Sequence, residues 1–326
     1  MCNNGSQGHY HAAAISWYNF LAMKNPFELK RILIFLGFAF GIAWLAALII
    51  HLTGGLVNNP LALPLETIAV MGAPAAANLL TRLLTREGWK DLYLRPRLRQ
   101  AWRYWALLWI APALLTIAGA AIYFLVFPEH FDPSLQRMRQ LTAASLHAAG
   151  NISPWLLLGA GTLQAIVLSP LLNGLFTLGE EFGWRAYLQP RLMPLGGRVT
   201  MVIMGITWGV WHWPLIAMGH NYGLNYTGAP WLGMLVMLWF TLAAGTLLGW
   251  ATLRSGSVWP AVVGHAAVNG IAGLSALATA GQPSPLVGPL PVGLIGSVGF
   301  AVVALLIFLY PDALRSPKSP QDKGAS

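Results

Sequence analysis

Charge is what this chain has least of. Asp, Glu, Lys and Arg make up 9% of its 326 residues, against about 25% in an ordinary soluble domain, so a soluble globular protein is excluded. Acid is scarcest of all, with 10 Asp and Glu against 19 Lys and Arg. A single cysteine, Cys2, supports neither a disulfide framework nor a nucleophile–histidine pairing. Runs of about ten alternating residues, the mark of a transmembrane barrel, are missing. No Gly-rich nucleotide loop is evident, so no energy cofactor is expected. No convincing internal repeat appears. No small-residue cleavage site follows the first apolar stretch, so that stretch reads as a span rather than a cleaved signal.

What the chain does have is hydrophobic length. It is 56% hydrophobic, with a mean hydropathy of +0.59. Stretches of about 20 apolar residues can each cross a bilayer core of about 30 Å. They run roughly over 32–53, 63–82, 104–127, 154–178, 199–218, 230–252, 257–280 and 288–310. This predicts an all-α, polytopic integral membrane helix bundle with about eight transmembrane helices. Turn-rich breaks such as "NNP", "PEHFDP" and "GQPSP" separate them. Residues 133–149 read as a short amphipathic interfacial helix. The organisation expected is a cytoplasmic segment over 1–30, one transmembrane bundle over 31–311, and a disordered tail over 312–326.

The formal net charge of +9 invites a nucleic-acid partner, but its distribution argues for a membrane instead. Lys24, Lys30 and Arg31 precede the first span, and a basic linker joins the second and third. Arg185, Arg191 and Arg198 join the fourth and fifth, and Arg254 the sixth and seventh. The linkers 54–62, 219–229 and 281–287 carry no lysine or arginine. The positive-inside rule puts both termini in the cytoplasm, in a plasma or inner membrane. The third linker, with Arg137 and Arg139, votes weakly the other way.

Against that apolar background a few polar residues stand out. Glu180 and Glu181 follow the fourth span without a break; His212 lies in the fifth, and His265 and Asn269 in the seventh. An ionisable group at the bilayer centre costs about 2.5–3.5 kcal/mol by insertion scales, and such groups usually face a bundle interior or a wet cavity. His265 and Asn269 are four residues apart, so they share a helix face, as do Trp208 and His212. Glu181 and Arg185 have the acid-before-base spacing of an intrahelical ion pair. Glu180 is turned by about 100° from its neighbour, so the two carboxylates can do different work. A carboxylate with an imidazole can orient and deprotonate a water, while a second imidazole and an amide can stabilise an oxyanion. No serine or cysteine lies within a helical turn of either histidine, which makes water the simpler nucleophile.

At these residues the chain resembles the CAAX protease and bacteriocin-processing family (CPBP, or Abi), which includes prenyl-protein endopeptidases. The matching motifs are Glu180-Glu181-Phe-Gly-Trp-Arg185, Trp208-Gly-Val-Trp-His212 and His265-Ala-Ala-Val-Asn269. They occur in the family's order and spacing, within a core of about 155–275. The resemblance implies an eight-helix glutamic-type intramembrane endopeptidase with its site open toward the cytoplasm. It makes Glu180 and His212 the water-activating pair and His265 and Asn269 the oxyanion hole. Glu181, Arg185 and the aromatic wall of Trp208 are supporting residues; phenylalanine is commoner at the Trp208 position. The partners implied are the bilayer and a peptide or membrane-protein substrate, with or without a lipid anchor.

Each residue also has a plainer reading. The glutamates could end a solvated helix, and the histidines and Asn269 could simply bond neighbouring helices. Glu66 and His51 sit near span ends, where solvation is cheap, and receive no function. Rival functions are a zinc metalloprotease with Glu180, His212 and His265 as ligands, a non-catalytic scaffold or immunity protein, and a proton-relay transporter. No cofactor is expected on the leading reading; zinc belongs to its rival.

Overall fold

The computed structural model describes residues 26–146 and 152–315. The expectations for residues 1–25 and for the tail from 316 fall outside these. The described residues are helical apart from turns and one isolated bridge, Phe131 with Thr279.

The first helix, α1, is Pro26–Leu52. The second, α2, covers Ala62–Thr85 and widens into a π-type segment at Leu65–Val70. Helix α3 is Leu98–Val126. Helix α4, Gln136–Leu146, falls where the interfacial helix was expected. Helix α5, Pro154–Val167, leads through a Ser169–Leu172 turn into α6, Gly174–Gly183. Helix α7 is Gly197–Trp211, and α8, Trp213–Ala217, follows at once. Helix α9 is Trp231–Ser255, α10 is Trp259–Ile271, and α11 is Val298–Leu309.

The bundle is polytopic, but its spans are not eight unbroken helices. Among the described residues, five helices are long and apolar enough to cross a membrane: α1, α2, α3, α9 and α10 with its short continuation to Leu277. The other three apolar segments are interrupted, and proline and glycine explain where. Pro170 lacks the N–H needed to carry α5 onward, and the chain turns again at Asn173 before α6. Pro214 ends α7. The eighth segment holds Pro289 and Pro291 with Gly288, Gly293 and Gly296, so its first half is a run of turns and only α11 is helical. Residues 312–315, expected in the disordered tail, are turns in which Ala313 and Leu314 are buried.

Helices meet closely where glycine removes the side chain. A Cβ on Gly179 would lie 2.6 Å from the Met71 carbonyl oxygen, so α6 and α2 touch backbone to backbone. On α7, a Cβ on Gly209 would come 2.6 Å from Leu238 of α9. Small-residue contacts of this kind, reinforced by polar bonds, replace the hydrophobic drive that lipid cannot supply. Thr241 donates to the Gly205 carbonyl at 2.9 Å, Thr177 to that of Val262 at 2.9 Å, and Gln189 to that of Gly249 at 2.9 Å.

One end of the bundle gathers the basic residues. Arg191 pairs with Glu87 at 2.7 Å and with Glu28 at 3.4 Å, and Arg31 reaches Glu87 at 3.2 Å. Arg198 and Arg254 bond the carbonyls of Phe308 and Asp312 at the same end. Among the described residues, only Arg137 and Arg139, on α4, carry positive charge to the opposite end.

Candidate functional site

The site forms where α6, α7 and α10 meet, with Trp208 at its centre. Glu180 and Glu181 lie in the last turns of α6, 3% and 0% exposed. Beyond them the chain continues as a π-type segment, Trp184–Leu188, which carries Arg185; such local widening of a helix is frequent at functional sites. Glu181 and Arg185 pair at 3.0 Å, as their spacing predicts, and both are buried. The same carboxylate oxygen accepts a second bond at 2.9 Å, from Nδ1 of His265 on α10. Glu181 therefore ties α6 to α10, and the two carboxylates do differ in surroundings.

Glu180 is held by another partner. Its Oε2 accepts the indole N–H of Trp208 at 2.8 Å, and among the described residues no hydrogen bond engages Oε1. The Trp208 ring also underlies the Arg185 guanidinium, 4.6 Å from the ring centroid. It meets the His265 ring edge-on at 5.2 Å and lies 5.8 Å from that of His212. Gly245 on α9 leaves room for this stack: a Cβ there would sit 3.4 Å from Arg185 and 3.6 Å from Trp208.

His212 is not inside a helix but at the break between α7 and α8. Its backbone N–H bonds the Gly209 carbonyl, three residues back, instead of Trp208 four back. The freed Trp208 carbonyl receives the imidazole, with Nδ1 at 2.7 Å. A carbonyl only accepts, so Nδ1 carries the proton and the neutral ring keeps its lone pair on Nε2. Pro214 thus ends a helix and, by doing so, orients a histidine.

A cavity of about 360 Å³ joins these groups; Glu180, Trp208, His212, His265 and Asn269 all line it. Asn269 stands one turn beyond His265 with its side chain exposed. Every candidate residue except Glu181 and Arg185 therefore reaches one space, and those two sit behind it. The cavity's other end is lined by Leu63, Glu66, His220 and Asn221. This is the end opposite the Arg31–Glu87–Arg191 cluster, and of the described lysines and arginines it carries only Arg137 and Arg139. A separate cavity of about 820 Å³ enters from the basic end and stops at Arg185 and Gln189.

Three features were missed in the sequence. Glu66 pairs with His220 at 2.8 Å at the cavity mouth. Asn78, fully buried on α2, donates to the Phe182 carbonyl at 2.8 Å beside the acidic pair and accepts from Arg82 at 2.8 Å. The four-residue spacing of Asn78 and Arg82 inside an apolar span was the available signal. The third is the Trp208–Glu180 bond, which joins residues 28 apart. As for metal, among the described residues no group of three or more His, Cys, Asp or Glu is arranged to hold an ion.

Residues 152–271 match the family described as Type II CAAX prenyl endopeptidase Rce1-like. The matched stretch begins just before α5 and ends with α10, so it contains all three motifs. No curated protein matches the chain.

Proposed function

We propose, from the assignment of residues 152–271 to the Rce1-like family, that this membrane protease hydrolyses a peptide bond with a water activated by Glu180 and His212. The observation that carries the reading is the single cavity lined by Glu180, His212, His265 and Asn269. Glu180 Oε1 and His212 Nε2 are the two acceptors left over once Trp208 has taken Glu180 Oε2 and His212 Nδ1. A water bound between a carboxylate and an imidazole can lose its proton as it attacks a carbonyl. The proton then passes to the departing amine, so the pair acts first as base and then as acid.

The developing oxyanion needs donors. Asn269 offers an amide N–H, and His265 offers Nε2, because Nδ1 is spent on Glu181. In that role the His265 ring carries both N–H groups. Its positive charge, together with that of Arg185, matches the two carboxylates Glu180 and Glu181. Glu181 and Arg185 reach no substrate and position His265 and Trp208.

The zinc rival gains no support from the side-chain arrangement. The non-catalytic rival keeps the same fold and differs in one measurement. Membrane-fraction proteomics of cells carrying wild type or Glu180→Gln should find peptide bonds cut only by wild type. Undiminished cleavage by Glu180→Gln ends the water-activation role.

A further inference from the structure

The basic end of the bundle holds a cavity that peptide hydrolysis does not use. It encloses about 820 Å³ between the linker from α2 to α3, the stretch after α6 and the end of α9. Lys90, Arg95 and Arg97, all exposed, bring three positive charges to its walls, against the single carboxylate of Asp91. A fourth cation closes the floor. Arg185 is 1% exposed and spends Nη1 on Glu181, while its Nε has no hydrogen-bond partner among the described residues. A buried donor left over in this way asks for an explanation, and an anion in the adjoining cavity is one.

The walls are rigid as well as basic. Asp91, Tyr93 and Arg97 have φ of 56°, 57° and 49°, a backbone that residues other than glycine keep only where their surroundings impose it. Those surroundings are specific bonds. Arg82 donates to the Gly88 and Lys90 carbonyls at 2.8 and 3.1 Å, the Val258 N–H to that of Tyr93 at 3.0 Å, and the Trp259 indole to that of Leu94 at 2.7 Å. The cations therefore stand on a clamped strap. At the end of α9, Gly256 makes room for one of them, since a Cβ there would lie 2.9 Å from the Arg97 guanidinium.

We infer that this cavity binds a phosphate-bearing anion, supplied either as a phospholipid headgroup or as free phosphate. Guanidinium groups match phosphate oxygens in pairs, and basic pockets between transmembrane helices take anionic headgroups. Scattered basic residues at span ends would need no cavity; these converge on one. The Arg185–Trp208 stack separates the anion from Glu180, so this is a second site and not an extension of the first.

A thiol in the wall tests this in the purified full-length protein. In a Cys2→Ser background, Leu253→Cys faces the cavity with every cation in place. Phosphatidylglycerol or inorganic phosphate, at about ten times its dissociation constant, should slow alkylation of that thiol by about tenfold; diacylglycerol, which lacks the phosphate, should not. Protection by inorganic phosphate alone identifies the free anion as the ligand, and protection by phosphatidylglycerol, with or without phosphate, identifies the headgroup. Adding Arg95→Gln and Arg97→Gln should abolish protection, whereas Arg137→Gln and Arg139→Gln, at the opposite end, should leave it intact. The Tm without ligand checks that each variant is folded. No protection by either probe overturns the inference, as does equal protection by diacylglycerol, protection that survives loss of Arg95 and Arg97, or a thiol that never reacts in the folded protein.

Discussion

Trp208 donates its indole N–H to Glu180 across 2.8 Å, joining α7 to α6 inside the bundle. A tryptophan does here what a phenylalanine cannot, because only the indole combines an aromatic wall with a donor. Hydrogen bonds to charged groups are worth about 1.5–3 kcal/mol. Trp208→Phe should therefore lower kcat by about tenfold to a hundredfold, with KM little changed and the fold retained. Wild-type kcat in that variant would show that the N–H does not position Glu180.

The buried Glu181–Arg185 pair should behave asymmetrically. Removing one partner leaves the other charge stranded, at a cost of about 3–5 kcal/mol. Arg185→Met and Glu181→Leu should each lower the Tm in detergent substantially, whereas the double variant should recover much of the loss. Equal and additive losses would mean that the two groups are not coupled. Hydrolysis should not return in the double variant, because His265 loses its acceptor either way.

The backbone contact at Gly179 predicts a packing defect. A methyl group there meets the Met71 carbonyl oxygen at 2.6 Å, closer than van der Waals contact allows. Overpacking of this kind costs about 1–3 kcal/mol. Gly179→Ala should lower the Tm, while Gly37→Ala, with nothing within 4 Å of its Cβ, should leave it nearly unchanged.

Metal dependence separates the two protease chemistries directly. Hydrolysis by the purified protein should persist after prolonged treatment with a chelator, and metal analysis should find no stoichiometric zinc. Activity lost to the chelator and restored by zinc would install the metalloprotease reading instead.

The apolar spans and the three motifs were legible because hydrophobic length and i,i+4 spacing are local signals. The Glu181–Arg185 pair is the clearest case: its spacing predicted the contact that forms. What could not be read was anything set by how helices stop. Apolarity continues through Pro170, Pro214 and Pro289, so composition suggested unbroken spans where the backbone breaks. His212 appeared to sit mid-helix, and its place at a helix end follows from a proline two residues later. Contacts between distant segments, such as Asn78 with Phe182 and Glu66 with His220, had no local trace. Which end of the bundle is hollow had no local trace either, since loop charges report orientation alone.

The glycine contacts carry one further consequence. Where α6 meets α2, backbone rests on backbone, and where α7 meets α9, Gly209 rests on the Leu238 and Thr241 side chains, so little room is left to absorb a displacement. That portion of the molecule works as a fixed anvil, holding the acid pair and the tryptophan still while a peptide is cut. The proline-rich turns before α11 are held in the same way, since a Cβ on Gly119 of α3 would overlap the Gly296 carbonyl and one on Gly293 would lie 2.8 Å from that of Val287.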